Sequence, residues 1–321
     1  MRWLVACLLC VAAALCSCDG GNSVLPKSGG RPYEVLIVSG GDGYAARMLG
    51  NELGNDARGL PQREPMFDVS LTDSARFNPV ARLARNIVIT SVDADLFTTV
   101  RVRYEKNVWA KPQMVVYVNA PSDVELCRSM PAVARQVAGL LTRAEMNAEI
   151  ANLNAGSNKN ASVTVRNMFG YDIKIPADMK SSKRGARFVW FSNNAAGGMR
   201  NICVYSYPGD SLDPERALAV RDSVMRANIP GERPGMYMRT AQGTVDFARQ
   251  KEKGRTLMTG RGLWEMHGDA MGGPFVAHWT VDTQAHEIVV AEAFVYAPEM
   301  KKRNLLRRTE AALYTLKKVR K

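Results

Sequence analysis

The part of this chain after residue 18, its body, has few residues of the kinds that form disulfides, bind metal ions or act in acid–base chemistry. Four of its six cysteines lie within the first 18 positions, so only Cys127 and Cys203 belong to the body. The body contains no C-x-x-C pair, which argues against a redox motif and a cysteine zinc site. One disulfide between Cys127 and Cys203 and two buried free thiols are both compatible with the sequence.

Signatures of common hydrolases and of nucleotide-binding enzymes are also missing. The chain has no G-x-S-x-G elbow, no S-x-x-K, no H-E-x-x-H and no P-loop. Its three histidines, His267, His278 and His286, match no His-x-His or His-x-x-x-His ligand pair. We therefore expect structural or exposed histidines, no metal or cofactor, and a noncatalytic protein. The alternative is a hydrolase whose site lies in the region from His267 to His286.

Acidic residues are scarce relative to basic ones, 31 against 43, and the formal net charge is +12. The segment from Lys301 to Lys321 has nine basic residues and one acid, Glu310. We predict a terminal helix with an apolar stripe that includes Leu306, Leu313 and Leu316 and with a solvated basic face. No nucleic-acid recognition motif accompanies this charge, so we do not expect nucleic acid as a partner.

A long apolar run occurs only at the N-terminus. One positive charge precedes about a dozen apolar residues, which is the pattern of a signal peptide. The run is too short for a transmembrane helix, which needs about 20 such residues. The residues Leu15-Cys16-Ser17-Cys18 resemble the lipobox of bacterial lipoproteins. We predict that Leu15 and Ser17 are recognised by the signal peptidase and that lipid on Cys18 holds the protein on a membrane of the cell envelope, most simply the outer membrane.

Hydrophobic patterning predicts an α+β fold in which antiparallel sheets are flanked by helices. The predicted organisation is a signal peptide at 1–17, a lipidated tether at 18–32, an N-terminal half at 33–154, a linker at 155–164, and a C-terminal half at 165–321 that ends in a basic helix. Each half has a strand followed by Ala-Pro and a helix, which suggests two related halves. The order of elements in the second half loosely resembles the Mog1/PsbP-like sandwich.

A glycine motif follows the first predicted strand. Gly41-Asp42-Gly43-Tyr44-Ala45-Ala46 formally matches the dinucleotide fingerprint. That fingerprint needs a second parallel strand ending in an acid about twenty residues on, where this chain has a proline-containing loop. We interpret the motif as a glycine turn with Asp42 as the helix cap.

Two further segments carry candidate sites. Gly272-Gly273-Pro274 has a backbone explanation, since glycine allows a sharp bend and proline can begin an edge strand. In the functional alternative, Trp264, Met271 and Phe275 line a groove with this segment for a partner protein or a glycan. Ser74 and Ser211 lie in predicted loops within Asp-Ser-x segments that resemble O-glycosylation sequons.

Several segments together resemble one family. They are Leu60 to Phe67, Arg85 to Ile87, Asn107 to Gln113, Gly262 to Met266, and Met271 to Val276. With the lipobox, they make the mature chain similar to a family of Bacteroidetes lipoproteins called domain of unknown function 4837. The resemblance implies an envelope lipoprotein and, because that family has no assigned activity, no catalytic residue. We expect a binding or assembly factor that contacts another envelope protein or glycan.

Overall fold

The computed structural model describes residues 25–40, 43–252 and 255–319, which form two domains. The predicted signal peptide, with Leu15, Ser17 and Cys18, lies outside these residues, as does Asp42. The elements of the N-terminal domain are β1 (Glu34–Ser39), α1 (Tyr44–Leu53), β2 (Asp68–Asp73), β3 (Asn86–Val92), β4 (Arg101–Lys106), β5 (Met114–Ala120) and α2 (Asp123–Ala155).

The N-terminal sheet is mixed and mostly parallel, with the strand order β2-β1-β3-β5-β4. The pairs β1/β2, β1/β3 and β3/β5 are parallel, and only β4 runs antiparallel to its neighbour. Val88 and Val116 pack on the helices, whereas Ile87 and Val115 pack on the other face. Strands buried on both faces have unbroken apolar runs, which are typical of parallel sheets. The α+β class is confirmed, but the prediction of an antiparallel sheet is wrong for this domain.

The C-terminal domain has ten strands and three helices among the described residues. They are α3 (Lys159–Phe169), β6 (Tyr171–Asp172), β7 (Ser181–Gly185), β8 (Phe188–Ser192), β9 (Met199–Pro208), α4 (Pro214–Asn228), β10 (Tyr237–Thr240), β11 (Asp246–Glu252), β12 (Arg255–His267), β13 (Gly272–Asp282), β14 (Glu287–Tyr296), α5 (Arg303–Leu313) and β15 (Lys317–Lys318).

The main sheet of this domain is antiparallel, as predicted. Its order is β10-β12-β13-β14-β9-β8-β7, and β11 also pairs with β12. Helices α3 and α5 cover one face through residues such as Val165 and Leu306, and α4 covers the other through Ala217 and Met225. The two domains differ in strand order and direction, so the prediction of two related halves is wrong.

Helix α2 belongs to both domains. Its 33 residues correspond to a length of about 50 Å. Leu126 and Val137 lie in the N-terminal core, whereas Leu153 lies in the C-terminal core. Pro131 lies inside this helix, which is continuous there. Proline inside a helix removes one backbone hydrogen bond, and the buried residues on both sides of Pro131 offset that loss.

Two predicted boundaries differ from the structure. The Lys111 amide donates to the Pro26 carbonyl at 2.8 Å, and the Gly29 amide donates to Leu83 at 2.8 Å. The end of the predicted tether at 18–32 is therefore part of the folded domain. The predicted linker at 155–164 is short, because α3 begins at Lys159 after an Asn158 cap.

The C-terminal basic segment is only partly helical. Helix α5 ends at Leu313, and Lys317–Lys318 form β15, which pairs with β6. Leu306 and Leu313 are buried, as the predicted stripe requires, and Leu316 is half-buried. In the described residues no helix is long and apolar enough to cross a membrane.

Candidate functional site

A cleft of about 1310 Å³ opens between the two domains. One wall is the loop that follows α1 together with the C-terminal half of α2, and the other is formed by α5 and the C-terminal sheet. Pockets for small molecules usually have about 300–1,000 Å³. The cleft is therefore large enough for an extended ligand or for a segment of a partner.

Positive charge predominates along the cleft. The basic side chains that line it are Arg58, Arg143, Lys174, Lys251, Arg261, Arg303, Arg307 and Lys317. Its acidic side chains are Asp56, which lies 3.6 Å from Arg63, and Glu310, which is bound to Arg261. Because both carboxylates already have cationic partners, the remaining charge favours an anionic ligand.

Glu310 and Arg261 form the deepest ion pair of the cleft. Both guanidinium amino groups of Arg261 donate to the Glu310 carboxylate, with Nη1 at 2.9 Å from Oε2. Burial alone would raise the pKa of Glu310, but Arg261 outweighs burial and holds that pKa below its usual value. These two parallel hydrogen bonds hold both side chains in one orientation near the C-terminal end of α5.

Arg307 has no such partner. Its Nη1 donates to the Met66 carbonyl at 2.8 Å, and its guanidinium lies 4.3 Å from the centre of the Tyr33 ring. Among the described residues no carboxylate lies within ion-pair distance of Arg307. Burial lowers the pKa of Arg307; Tyr33 and Glu310 oppose that effect, and the charges of Arg303 and Arg261 add to it. A half-buried cation with cationic neighbours is a favourable position for an anion.

His278 lies at the floor of the cleft on β13. It is 2% exposed, and its Nε2 has no hydrogen-bond partner in the described structure. Burial lowers the pKa of His278 to about 4, so the ring is neutral at pH 7. The Tyr314 ring packs edge-on against it at 4.6 Å, and Thr259, its partner on β12, also has an unpaired buried hydroxyl. Unpaired buried groups of this kind are uncommon in native proteins.

Aliphatic side chains complete the cleft. Leu60 and Met66 come from the N-terminal domain, Met146 and Ile150 from α2, and Leu316 from the segment after α5. All five are half-buried and therefore still present apolar surface to the cleft. Methionine is flexible and adapts to ligands of different shape.

The loop at 60–67 binds the first turn of α5 and so holds this helix against the N-terminal domain beside the cleft. The Glu64 carboxylate accepts the backbone N–H groups of Lys302 at 2.6 Å and of Arg303 at 3.0 Å. It thus caps the first turn of a helix that belongs to the other domain. Arg303 also binds Asp68 on β2 at 2.6 Å. The basic residues of α5 therefore face the other domain in part, and the prediction of a fully solvated basic face is wrong.

The predicted partner groove lies mainly inside the core. Trp264 is 3% exposed and Phe275 is fully buried, while Met271 is half-buried. The Trp264 indole donates to the Val295 carbonyl at 3.2 Å. A Cβ atom on Gly273 would overlap that same carbonyl. Gly272-Gly273-Pro274 therefore allows close strand packing, and the groove prediction is wrong for Trp264 and Phe275.

The three histidines do not form one site. His267 lies eight residues beyond Thr259, the partner of His278 on β12, which is about 26 Å at roughly 3.3 Å per residue. His286 is exposed on the turn before β14 and contacts Asp210 at 2.8 Å. In the described part of the chain no group of three or more His, Cys, Asp or Glu side chains could hold a metal. The structure therefore assembles no catalytic centre from these histidines.

The other predicted sites are separate from the cleft. Cys127 on α2 and Cys203 on β9 lie in different domains and form no disulfide with each other. Ser74 and Ser211 are both exposed and lie in loops, as the sequence predicts.

The glycine motif lies at the carboxyl end of the N-terminal sheet. Gly43 precedes α1, and Gly41 and Asp42 are outside the described residues. The region about twenty residues after the motif is the loop at 60–67, as the sequence predicts, and the parallel strand β2 begins only at Asp68. That strand ends at Asp73, thirty residues after Gly43, which is longer than the spacing of about twenty that the fingerprint requires.

Sequence reasoning missed the cleft because its residues come from distant segments. One signal was available in α5: Arg303, Leu306, Glu310 and Leu313 recur at helical spacing, so the one acid of the basic segment lies on the apolar stripe. A carboxylate on a buried stripe requires a cationic partner. That partner, Arg261, could not be identified before the sheet was known.

Comparison with solved structures gives only distant likeness. The chain is similar to the Ran-binding protein Mog1p of Saccharomyces cerevisiae, at 13% identity and a TM-score of 0.29, over 47% of this chain and 90% of that one. A mutant of protein Mog1 is similar at 13% identity and a TM-score of 0.28, over 47% of this chain and 91% of that one. No curated protein matches the chain.

Family models divide the chain as its domains do. Residues 28–154 match the model described as domain of unknown function DUF8532. The predicted resemblance to a single family over the whole mature chain is therefore wrong for the N-terminal domain. Residues 157–315 match the model described as domain of unknown function DUF4837, so the C-terminal domain belongs to that family.

Proposed function

We propose that this protein is a noncatalytic lipoprotein of the cell envelope, a binding or assembly factor that receives another envelope component in the interdomain cleft. The observation that carries the proposal is the charge of the cleft: Lys174, Arg261 and Arg303 are paired with carboxylates, and the other five of its eight basic side chains have no carboxylate within ion-pair distance among the described residues. An anionic component would gain electrostatic attraction there without displacing an existing ion pair.

The envelope location rests on the sequence. The signal-peptide pattern and the lipobox at Cys18 support lipidation, as in the Bacteroidetes lipoproteins that the chain resembles. Eight positions separate Cys18 from Pro26, the first residue seen to hydrogen bond to the body. Such a segment spans at most about 29 Å when extended. Lipid on Cys18 would then keep the folded body close to the surface of the membrane, most simply the outer membrane.

A noncatalytic role agrees with the chemistry of the cleft. A nucleophile usually lies beside a base that a third group orients. In the described cleft, Glu310 is held by Arg261, and His278 has no carboxylate within ion-pair distance. The arrangement of these groups suits binding and orienting a ligand more than transferring a proton.

Site-specific photocrosslinking in the intact envelope tests this proposal. A photoreactive amino acid placed at Met146 or Leu316, inside the cleft, should give a defined adduct in the membrane fraction. The matched control is Leu96, which is 72% exposed and does not line the cleft.

Reversing the charge of Arg143 and Lys317, both exposed at the cleft, should reduce that adduct. The same adducts at Leu96, or none in the cleft, would contradict the proposal.

A further inference from the structure

We infer that the ligand of the cleft is an anionic amphiphile with a single acyl chain, a free fatty acid or a lysophospholipid. Its acidic head binds beside Arg307 and His278, and its chain follows the aliphatic side chains of α2 and of the segment after α5. This inference rests on the proposed function, because it names the ligand class of the same cleft.

The head position follows from the uncompensated charge of Arg307. Arg303 is paired with Asp68 and Arg261 with Glu310, so two of the three clustered arginines are neutralised. Arg307 carries a positive charge although most of its surface is buried. A carboxylate or phosphate in this position would have a strong, charge-assisted hydrogen bond available.

The unpaired polar groups at the floor support the same position. His278 lines the cleft with a buried Nε2 that has no partner, and its strand neighbour Thr259 has a buried hydroxyl in the same condition. A buried polar group without a partner destabilises the folded protein. In the neutral imidazole, Nε2 can carry the ring hydrogen, and a ligand oxygen that accepts from it would supply the missing partner.

The wall of the cleft indicates the rest of the ligand. Its half-buried apolar residues are Leu60, Met66, Met146, Ile150 and Leu316. Tyr314 is the one Phe, Trp or Tyr among the described lining residues. Glycan sites commonly use aromatic faces, whereas an aliphatic wall with flexible methionines suits an alkyl chain. A cationic site next to such a wall matches a molecule with an acidic end and an apolar chain.

Isothermal titration calorimetry on the chain from residue 19 onward, which includes both complete domain cores, tests the inference. Two probes carry the same twelve-carbon chain with different acidic heads, laurate and dodecyl phosphate, and both are used below their micelle concentrations. Two further probes, dodecyltrimethylammonium and dodecyl maltoside, keep the chain but have a cationic or a neutral head. We expect one bound molecule of at least one acidic probe and no binding of the other two.

Substitutions in the cleft and at a control position test where the acidic head of the probe binds. Arg307→Gln should weaken binding of the acidic probe by roughly tenfold or more, the range for a lost charged hydrogen bond. Arg308→Gln, the matched control, changes the next residue of α5, which is exposed and pairs with Glu149. It should bind within about twofold of the parent, as surface ion pairs contribute little. Arg143→Glu, at an exposed cleft position, gives a second test should Arg307→Gln prove unstable.

The outcomes separate the alternatives. Binding of laurate alone assigns the site to a fatty acid, and binding of dodecyl phosphate alone assigns it to a phospholipid head. Failure of both acidic probes, or equal binding of the cationic one, overturns the inference. If a polyglutamate peptide binds in place of the amphiphiles and cleft adducts still form in the envelope, the cleft takes an acidic peptide and the proposed function stands. If those adducts are also missing, both proposals fail.

Discussion

Replacing His278 with glutamine should make the protein less sensitive to mild acid. The imidazole is 2% exposed, and burial lowers its pKa from 6.5 to about 4. Between these two values the unfolded chain binds a proton that the folded protein does not. The free energy of unfolding therefore falls as the pH falls through this window. Above pH 6.5 the ring is neutral in both states, and this contribution is absent.

The size of the effect follows from the difference in pKa. At 1.36 kcal/mol per pH unit, the interval from 6.5 to about 4 corresponds to about 3 kcal/mol in full. At pH 4.5 most of this, about 2 kcal/mol, is already lost. Carboxylates such as Glu310 also titrate on acidification, but they do so in the parent and in the variant. Comparison of the two proteins therefore isolates the histidine.

Urea unfolding at pH 7 and pH 4.5 measures the effect. The parent should lose about 2 kcal/mol more than His278→Gln between these conditions. His286→Gln, the matched control, removes a histidine that is exposed on a turn and should lose stability as the parent does. Equal losses in the parent and in His278→Gln would refute the burial argument, because a solvated or already protonated ring carries no such cost.

Three further predictions follow from the contacts described above. Cys18→Ala should abolish lipid labelling and release the protein from the membrane fraction; retention in high salt without lipid would contradict the anchor. Glu64→Ala should lower the free energy of unfolding by about 2 kcal/mol, as for a lost helix cap, measured in urea; an unchanged value would show that the cap is dispensable. Gly273→Ala should lower the melting temperature because its Cβ would meet the Val295 carbonyl, whereas Gly197→Ala, with no atom within 4 Å, should not; equal effects would argue against close packing.

The segments that resemble the family have packing roles in the structure. Glu64 caps α5 across the domain interface. Arg85 donates two hydrogen bonds, of 2.9 and 2.7 Å, to the buried Glu145 of α2. The Gln113 side chain accepts from the Trp109 amide at 2.8 Å and donates to the Ala84 carbonyl at 2.7 Å. These segments therefore contribute to packing within the domains and to the contact between them. They do not identify a ligand, which is why the resemblance yields no site residue.

Strand β12 shows where local sequence misleads. It has 13 residues and pairs with three other strands, yet Gly260 and Gly262 make its sequence a poor strand candidate. The glycines are explained by packing, since a Cβ at Gly260 would lie 2.9 Å from the Trp279 ring. Only the neighbouring strand shows why glycine is needed there.

Local sequence signals are sufficient to specify some of the elements. Apolar runs and helix caps mark β1, β3, β14, α2 and α4 in the sequence, because burial periodicity and capping act over a few positions. Strand direction and the cleft depended on tertiary structure. Arg261 and Glu310 are 49 positions apart, and Glu64 and Lys302 are 238 apart. Such pairs form only when both domains are folded, because no local signal specifies which distant charge a buried side chain will meet.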